Sequence, residues 1–399
     1  MCKFQVIGIS DQSVPVFTDE VKQLVLEAHH FSGGSRHREL VHELLPEDYH
    51  WTDVEVPLSK TFEKYRQMDA SIVVFASGDP LFFGIGNTLK REFPDAELTV
   101  YPSFNSLQML AHQCHLPYGN MVIATLTGRP WVNLDQELIK GTGLIGILTD
   151  KKKTPAAIGQ RMQQVGLENY TVYLGERMGG ERQKVRHMSV KELCQTETIA
   201  PNCLILEKTT PVNRMMGIPE ADFHFLTGRP KMITKRSIRL MSVAMLQLDT
   251  ARVMWDVGFC TGSVSIEAKQ TAPHIDVFAI EKRPESERLM CKNKAKFHIP
   301  GIQFAIGDFF EMDLSVWPDP DRIFIGGHGG RLAEMLGRLV KRLQENGYIV
   351  FNAVSEATAT AFMDAVKDLP LTITDQMILQ QDEHNPVTIF QAQKVAGKS

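Results

Sequence analysis

The chain has 399 residues, of which 43% are hydrophobic and 23% are charged, and its formal net charge at neutral pH is −4. This length and composition predict a globular protein of two or three domains with well-formed cores. Because the charges nearly balance, neither nucleic acid nor an anionic membrane surface is expected as a partner.

The six cysteines are dispersed along the chain, with no CxxC pair and no cluster with histidines at metal-ligand spacing. We therefore expect free thiols and no metal site. The N-terminal residues lack the features of a secretory signal, and no apolar run approaches the roughly 18 residues of a membrane span. These features predict a cytoplasmic location and no membrane partner.

Short apolar runs alternate with helical segments in the first half. The run Phe4–Ile9 leads, through a polar loop, to a helix over Asp19–Ala28 with Thr18 as its N-cap. A second continuous run, Ser71–Ala76, ends in the glycine-bearing stretch Ser77–Gly86. Continuous apolar runs are typical of buried parallel strands, so a binding site is expected at their C-terminal ends.

The rest of the first half continues this alternation of strands and helices. Five further strands are predicted, at Leu98–Tyr101, Met121–Leu126, Leu144–Leu148, Tyr170–Leu174 and Cys203–Leu206. A helix is expected over Pro155–Gln164, and the charged, glycine-rich turn Gly175–Glu181 should join the last two strands. The alternation predicts an α/β domain that ends near Leu206.

The segment Glu207–Asp222 mixes proline, glycine and polar residues without periodicity, which indicates a domain boundary. We therefore place two domains at residues 1–208 and 222–396. After a helix at Lys235–Leu248, strands are predicted at Val253–Val257, Val277–Ile280, Ile302–Ile306, Arg322–Gly326, Tyr348–Val354, Leu371–Gln380 and Val387–Gln393. The last two have no helix between them, which indicates an antiparallel hairpin at the sheet edge.

One glycine turn in the second half has the pattern of a nucleotide site. The run Val253–Val257 passes through Gly258 and Gly262 into a helix, an order that turns backbone N–H groups toward an open site. Glu281 ends the next apolar run, at about the spacing of an acid that accepts ribose hydroxyls. Such a unit can hold NAD, FAD or S-adenosylmethionine, but the terminal hairpin favours a class I methyltransferase over a nicotinamide-dependent oxidoreductase.

The first half also resembles a known family. The motifs that carry the resemblance are SGDPLFFGIG at Ser77–Gly86, PSFNSLQ, LTDKKKTPAAI at Leu148–Ile158, and NCLILE. They are similar to the tetrapyrrole methylases, a fold of two α/β subdomains, and to the cobalamin-pathway branch that methylates C5 of a precorrin. The resemblance implies cofactor contacts by Gly8, Gly78, Asp79 and Pro80. The family's first loop reads GxGPG, whereas here Gly8 is followed by Ile-Ser-Asp-Gln, which leaves a non-catalytic scaffold as an alternative.

Five motifs of the second half resemble the precorrin C15-methyltransferase and C12-acetate decarboxylase family, which has a class I, Rossmann-like sheet. They are MITKRSIR at 232–239, WDVGFCTGSVSIEA at 255–268, AIEKRPE at 279–285, GDFFE at 307–311 and DRIFIGGHGG at 321–330. The resemblance implies cofactor contacts by Gly258, Thr261, Gly262, Glu281 and Asp308, and substrate contacts by Thr234, Gly326, Gly327 and His328. Cys260 replaces a family glycine, so its φ should be negative and its side chain should point away from the cofactor.

Together the two resemblances imply S-adenosylmethionine-dependent methylation of a precorrin at C5 and C15, with loss of the C12 acetate carboxyl. They imply one cofactor site in each domain. The ring carbon is itself the nucleophile, so no catalytic side chain is singled out. Lys235, Arg236 and Arg239 are candidates to bind the carboxylates of the substrate, and a solvated helix face is the alternative for them. A cobalt-precorrin substrate and a nicotinamide-dependent oxidoreductase stay open as alternatives, and a homo-oligomer is expected.

Overall fold

The computed structural model describes residues 3–10, 15–68, 70–381 and 385–395. Internal packing divides the chain into two compact units, which are described separately below. The first comprises the chain up to Ile123 with Leu144–Ala156 and Thr171–Glu207, and the second comprises Ala124–Gly143, Ala157–Tyr170 and the chain from Lys208 onward. The domain limits 1–208 and 222–396 stay a prediction. No helix among the described residues is long and apolar enough to cross a membrane.

The first sheet is parallel, with the strand order β3-β2-β4-β1-β5. Its elements are β1 (Lys3–Ile9), α1 (Asp19–Glu27), β2 (His30–Gly33), α2 (Ser35–Val41), β3 (His50–Asp53), α3 (Ser59–Gln67), β4 (Ser71–Ser77), α4 (Ile85–Glu92) and β5 (Glu97–Tyr101). Successive side chains of β4 enter two different cores, Val74 on one face and Phe75 on the other. That two-sided burial explains the continuous apolar runs. In the register, Ile9 is opposite Ser77, so the loops after β1 and β4 begin side by side.

The sequence predicted β1, α1 and β4 but not the elements between α1 and β4. Strands β2 and β3 have only four residues each, and they contain His, Ser and Asp side chains. Such short polar strands have no apolar run to identify them, because pairing with longer neighbours stabilises them. In the same region Thr18 caps α1 as predicted, its side chain accepting a hydrogen bond from the Val21 N–H at 3.4 Å.

The second sheet has five strands in the order β6-β7-β10-β8-β9, in which the pairs β7–β10 and β8–β9 are antiparallel. The elements of this part of the chain are, in order, α5 (Ser106–Gln113), β6 (Val122–Thr125), α6 (Val132–Lys140), β7 (Leu144–Leu148), α7 (Pro155–Gln163), β8 (Tyr170–Glu176), β9 (Lys184–Ser189), α8 (Val190–Leu193) and β10 (Asn202–Lys208). The predicted turn after β8 does not lead to β10. It leads to β9, an antiparallel partner of β8 that buries no side chain and therefore has no apolar pattern.

The third sheet has seven strands in the order β13-β12-β11-β14-β15-β17-β16. Its elements are α9 (Arg236–Met245), β11 (Val253–Val257), α10 (Ser263–Thr271), β12 (Asp276–Glu281), α11 (Glu285–Phe297), β13 (Ile302–Ile306), β14 (Arg322–Ile325), α12 (Leu332–Arg342), β15 (Tyr348–Ala353), α13 (Glu356–Lys367), β16 (Leu371–Leu379) and β17 (Val387–Lys394). The first five strands are parallel, and β16 and β17 form an antiparallel hairpin at the edge. This confirms the predicted class I methyltransferase sheet.

Candidate cofactor and substrate sites

The loops after β11 and β14 pack backbone against backbone. Gly258 has φ +82°, and a Cβ atom on it would lie 2.7 Å from the Gly327 nitrogen. A Cβ atom on Gly326 would in turn lie 2.9 Å from the Gly258 oxygen. Only glycine tolerates both that backbone conformation and that approach. The structure therefore brings together three predicted site residues from two separate motifs.

These loops border a cavity of about 680 Å³ at the C-terminal ends of the parallel strands. The predicted residues that line it are Thr234, Gly258, Thr261, Glu281, Asp308, Gly326, Gly327 and His328. Gly262 is not among the lining residues. It begins α10 at φ +75°, where a Cβ atom would lie 2.5 Å from the Met290 sulfur, so close packing against α11 requires a glycine there. The contacts of these residues with a ligand stay predictions.

Two buried polar atoms that belong to residues lining this cavity have no hydrogen-bond partner in the described chain, Asp256 Oδ1 and Thr261 Oγ1. The other carboxylate oxygen of Asp256 accepts from the Ser265 N–H at 3.1 Å and from the Ser265 hydroxyl. Burial raises the pKa of Asp256 to about 7. Buried polar atoms are nearly always paired, so this end of β11 fits a ligand with amino and carboxyl groups, such as the methionine moiety of S-adenosylmethionine.

Glu281 is 3% exposed, and hydrogen bonds fix its carboxylate in place. Its Oε2 accepts from the Cys260 N–H at 2.9 Å, and its Oε1 accepts from the Lys282 N–H at 2.9 Å and from the Arg283 guanidinium at 2.9 Å. A carboxylate has about four acceptor positions, so Oε2 can take a further donor such as a ribose hydroxyl. The same group also ties the loop after β11 to the end of β12.

Asp308 and His328 shape two further loops at the cavity. Asp308 Oδ1 accepts from the Phe310 N–H at 2.9 Å, which is a local turn bond. His328 Nδ1 accepts from the Gly330 N–H at 3.2 Å, and the ring meets Phe351 edge-on. Burial lowers the pKa of His328, so the neutral imidazole is favoured.

The prediction for the backbone of Cys260 is wrong. Its φ is +51°, in the left-handed region that costs a residue with a Cβ atom about 1–2 kcal/mol. Two hydrogen bonds offset this cost, since the Cys260 N–H donates to Glu281 and the thiol donates to the Met232 carbonyl at 3.2 Å. Burial raises the pKa of the thiol to about 11, so it is protonated and able to donate.

Arg239 neither lines the cavity nor lies on a solvated helix face, so both alternatives predicted for it are wrong. Its side chain is fully buried, and its Nε lies 3.0 Å from Glu267 Oε2 while its Nη1 donates to the Thr234 carbonyl at 2.8 Å. Helical periodicity explains this, because Arg239 shares the inward face of α9 with Ile238 and Ser242. Arg236 is also absent from the lining, whereas Lys235 is part of it.

Two lysines in the cavity wall were not predicted, Lys231 and Lys282. Lys231 directly precedes the motif MITKRSIR and Lys282 lies within the motif AIEKRPE, and these positions were the available signal. The Lys282 ammonium lies 3.8 Å from the position that a Cβ atom on Gly329 would occupy, so this cation lies beside the glycine loop after β14. With Lys235, three lysines border the cavity. Arg283 and Arg331 also line it, but they pair with Glu281 and Glu334. These cations suit a ligand with several carboxylates.

In the first unit, Gly8 and Gly78 meet at the ends of β1 and β4. A Cβ atom on Gly8 would overlap the Gly78 oxygen and lie 2.8 Å from the Ser103 nitrogen. Gly78 has φ +61° and donates its N–H to the Ile9 carbonyl at 2.8 Å. A cavity of about 480 Å³ adjoins them, with Gly8, Ile9, Ser10, Ser103, Phe104 and His112 in its wall.

Gly78, Asp79 and Pro80 are not among the residues that line this first cavity. Asp79 Oδ1 accepts from the Leu81 N–H at 2.8 Å, and the Pro80 carbonyl accepts from the Gly86 N–H at 3.0 Å, so both residues shape the turn. Their cofactor contacts stay predictions. Asp11 and Gln12 of the first loop, which replace the proline and the last glycine of the family motif, lie outside the described residues.

Two family models match the chain in succession. Residues 11–194 match the tetrapyrrole (corrin/porphyrin) methylases, and residues 228–395 match the precorrin methyltransferase domain. A precorrin-6Y C(5,15)-methyltransferase [decarboxylating] of a Sinorhizobium species is 28% identical over 90% of this chain and 86% of its own length. A cobalt-precorrin-6B C(15)-methyltransferase (decarboxylating) of Salmonella typhimurium is 33% identical over 33% of this chain and 66% of its own length.

A solved structure, of a precorrin-6Y C5,15-methyltransferase from Geobacter metallireducens, is 33% identical and covers 45% of this chain and 97% of its own, with a TM-score of 0.40. The relatives are methyltransferases, so the nicotinamide-dependent alternative is not favoured. The chain belongs to the S-adenosylmethionine-dependent precorrin methyltransferases.

Proposed function

We propose that the chain methylates a precorrin at C5 and at C15 and removes the carboxyl group of the C12 acetate, as the name of its Sinorhizobium relative describes. The observation that carries the proposal is the cavity beside Gly258, where Asp256 Oδ1 and Thr261 Oγ1 are buried without partners. A cofactor with an amino acid end satisfies both atoms. The proposal includes a second cofactor site beside Gly8, one site for each half of the chain.

S-adenosylmethionine, when bound, supplies an electrophilic methyl group, and the electron-rich ring carbon of the substrate attacks it. The protein therefore has to bind and orient the cofactor and the substrate, and to exclude water from the site. In the second half, Asp256 and Thr261 would hold the methionine end, and Glu281 would accept a ribose hydroxyl. The backbone contact between Gly258 and Gly327 leaves room for a flat ligand against the glycine loop.

The carboxylates of a precorrin need cationic partners, and Lys231, Lys235 and Lys282 in the cavity wall are suited to this role. A lysine ammonium at the rim of a cavity pairs with a carboxylate without a fixed geometry, which suits the flexible acid side chains of a macrocycle. We assign substrate orientation to these three lysines, with Thr234, Gly326, Gly327 and His328 along the same wall.

The first half is proposed to methylate C5 in the cavity beside Gly8. Support comes from the close approach of Gly8 and Gly78 and from the match of residues 11–194 to the tetrapyrrole methylases. The domain limits at 1–208 and 222–396, a homo-oligomeric state and a cytoplasmic location belong to the same proposal. A scaffold without a cofactor is the competing function for this half.

Calorimetric titration of the whole chain with S-adenosylhomocysteine tests the proposal. Two sites per chain are expected, with no heat from NADH. A single site would remove the first half from the proposal, and binding of NADH without S-adenosylhomocysteine would contradict it. Mass spectrometry of the product from metal-free and from cobalt-bearing precorrin then identifies the substrate, since the expected product has gained two methyl groups and lost one carbon dioxide.

A further inference from the structure

Cys260 combines a strained backbone with a specific side-chain contact. Its φ of +51° lies in the left-handed region, which glycine adopts without strain and a residue with a Cβ atom does not. Glycine would keep the loop conformation without strain, and it would also keep the N–H bond to Glu281. The one feature that glycine cannot supply is the thiol, which donates to the Met232 carbonyl at 3.2 Å.

The carbonyl that accepts this bond belongs to the segment Lys231–Lys235. Every residue of this segment lines the cavity beside Gly258, in the second unit. The segment is anchored at its C-terminal side, because Ile233 is buried in the core and the Thr234 carbonyl accepts from Arg239 Nη1 at 2.8 Å. At its N-terminal side, Met232 is the contact with the cofactor loop. The Met232 N–H donates to the Arg229 carbonyl at 3.1 Å within the same turn, so the thiol bond is the contact that joins this turn to the loop after β11.

We propose that Cys260 is a positioning residue, whose thiol ties the segment Lys231–Lys235 to the cofactor loop and so sets where the carboxylates of the substrate bind. The effect on substrate binding rests on the proposed function. The hydrogen bond between the Cys260 thiol and the segment Lys231–Lys235 does not depend on that function. Because Cys260 precedes Thr261 in the loop and faces the segment with Lys231, it connects the cofactor side of the cavity to the substrate side.

The test compares full-length wild type with Cys260→Gly and Cys260→Ser, and Cys291→Ser serves as a control at an exposed cysteine of α11. Hydrogen exchange of the peptide over residues 229–235 is measured together with calorimetric affinity for S-adenosylhomocysteine. In Cys260→Gly, exchange of this peptide should accelerate about threefold, because one weak hydrogen bond is lost. The melting temperature should stay unchanged or rise, because the backbone strain is relieved.

Cys260→Ser should restore most of the protection, since a hydroxyl also donates, and Cys291→Ser should match wild type. S-adenosylhomocysteine affinity should change less than twofold in every variant, while the KM for precorrin rises several-fold in Cys260→Gly alone. Unchanged exchange over 229–235 in Cys260→Gly overturns the inference. A tenfold loss of S-adenosylhomocysteine affinity also overturns it, because the thiol would then shape the cofactor loop itself. If wild type binds no S-adenosylhomocysteine, the proposed function fails. The hydrogen-exchange result still shows whether the Cys260 thiol holds the segment Lys231–Lys235.

Discussion

Both cavities adjoin the end of a strand where a glycine lets two backbones approach, Gly8 against Gly78 in the first unit and Gly258 against Gly327 in the second. Beyond that shared feature they differ in their polar groups. The second cavity adds buried acids, Asp256 and Glu281, and the unpartnered hydroxyl of Thr261.

The described residues of the first cavity wall include no carboxylate. Its polar side chains are neutral groups such as Ser10, Ser103, Gln113 and Gln183, and the rings of Phe104 and His112 lie among them. Asp79, the acid of its glycine turn, is outside the wall and already accepts from the Leu81 N–H. The proposed cofactor would therefore meet backbone and neutral polar groups in the first half, and buried acids in the second. Substitutions should therefore have different signatures in the two halves.

The largest effect is expected from Gly8→Ala. The added Cβ atom would overlap the Gly78 oxygen and lie 2.8 Å from the Ser103 nitrogen, and both neighbours are backbone atoms that cannot rotate away. We expect destabilisation of about 3 kcal/mol or more and loss of one of the two S-adenosylhomocysteine sites in calorimetry. Gly119→Ala is the matched control, since nothing lies within 4 Å of its Cβ position. Retention of both sites in Gly8→Ala would mean that the backbone contact does not form the first site.

The next effect concerns Asp256, whose buried carboxyl has no counterpart in the first cavity wall. Its folded-state pKa of about 7 lies above the ordinary value of 3.8, so the folded protein holds a proton that the unfolded chain has released. The free energy of unfolding therefore falls as pH rises between these two values and levels off above the higher one. From about pH 5 to pH 8 the loss is on the order of 3 kcal/mol.

In Asp256→Asn the free energy of unfolding should lack this pH-dependent component, because the amide has no charge to bury. Urea denaturation of wild type and Asp256→Asn at both pH values measures the difference, with Asp249→Asn as the control at an exposed carboxyl. A stability gap between wild type and Asp256→Asn that does not change with pH would show that Asp256 titrates normally.

Glu281→Gln should weaken the second site and leave the first unchanged. The substitution removes the charge that holds the Cys260 N–H, the Lys282 N–H and the Arg283 guanidinium. We expect S-adenosylhomocysteine affinity at the second site to fall about 30- to 100-fold, the effect of losing charge-assisted hydrogen bonds worth about 2–3 kcal/mol. Glu285→Gln, at an exposed acid of α11, is the control. Equal losses at both sites would contradict separate cofactor sites.

The fold and the candidate site could be predicted from the sequence only where an element has a clear local pattern of residue types. Strand β11 and the hairpin of β16 and β17 have strong apolar patterns, and they were predicted with their type and place in the sheet. Strand β9 buries no side chain and was missed. The glycine turn after the first strand of the second half identified Gly258, and the two family resemblances identified Gly8, Gly78 and Gly327. These positions could be found because close backbone approach depends on a local residue type.

The remaining errors concern side-chain positions and backbone angles that are determined by tertiary contacts. Whether Arg239 faces solvent or Glu267 depends on the rotation of α9 against α10, which is not a local property. The positive φ of Cys260 is stabilised by Met232 and Glu281, which are distant in sequence. Lys231 and Lys282 lie beside or within identified motifs, but that they share one cavity wall is apparent only when the loops are brought together.

The smallest effect is expected from Lys235→Ala, which separates substrate recognition from cofactor recognition within the second site. Lys235 lines the cavity and is half-buried, so its pairing with a substrate carboxylate is only partly screened by water. We expect the KM for precorrin to rise about fivefold, equivalent to roughly 1 kcal/mol, while S-adenosylhomocysteine affinity stays unchanged. Lys367→Ala, at an exposed lysine of α13, is the control. If S-adenosylhomocysteine affinity falls as well, Lys235 belongs to the cofactor side, and the orienting charge must then come from Lys231 and Lys282.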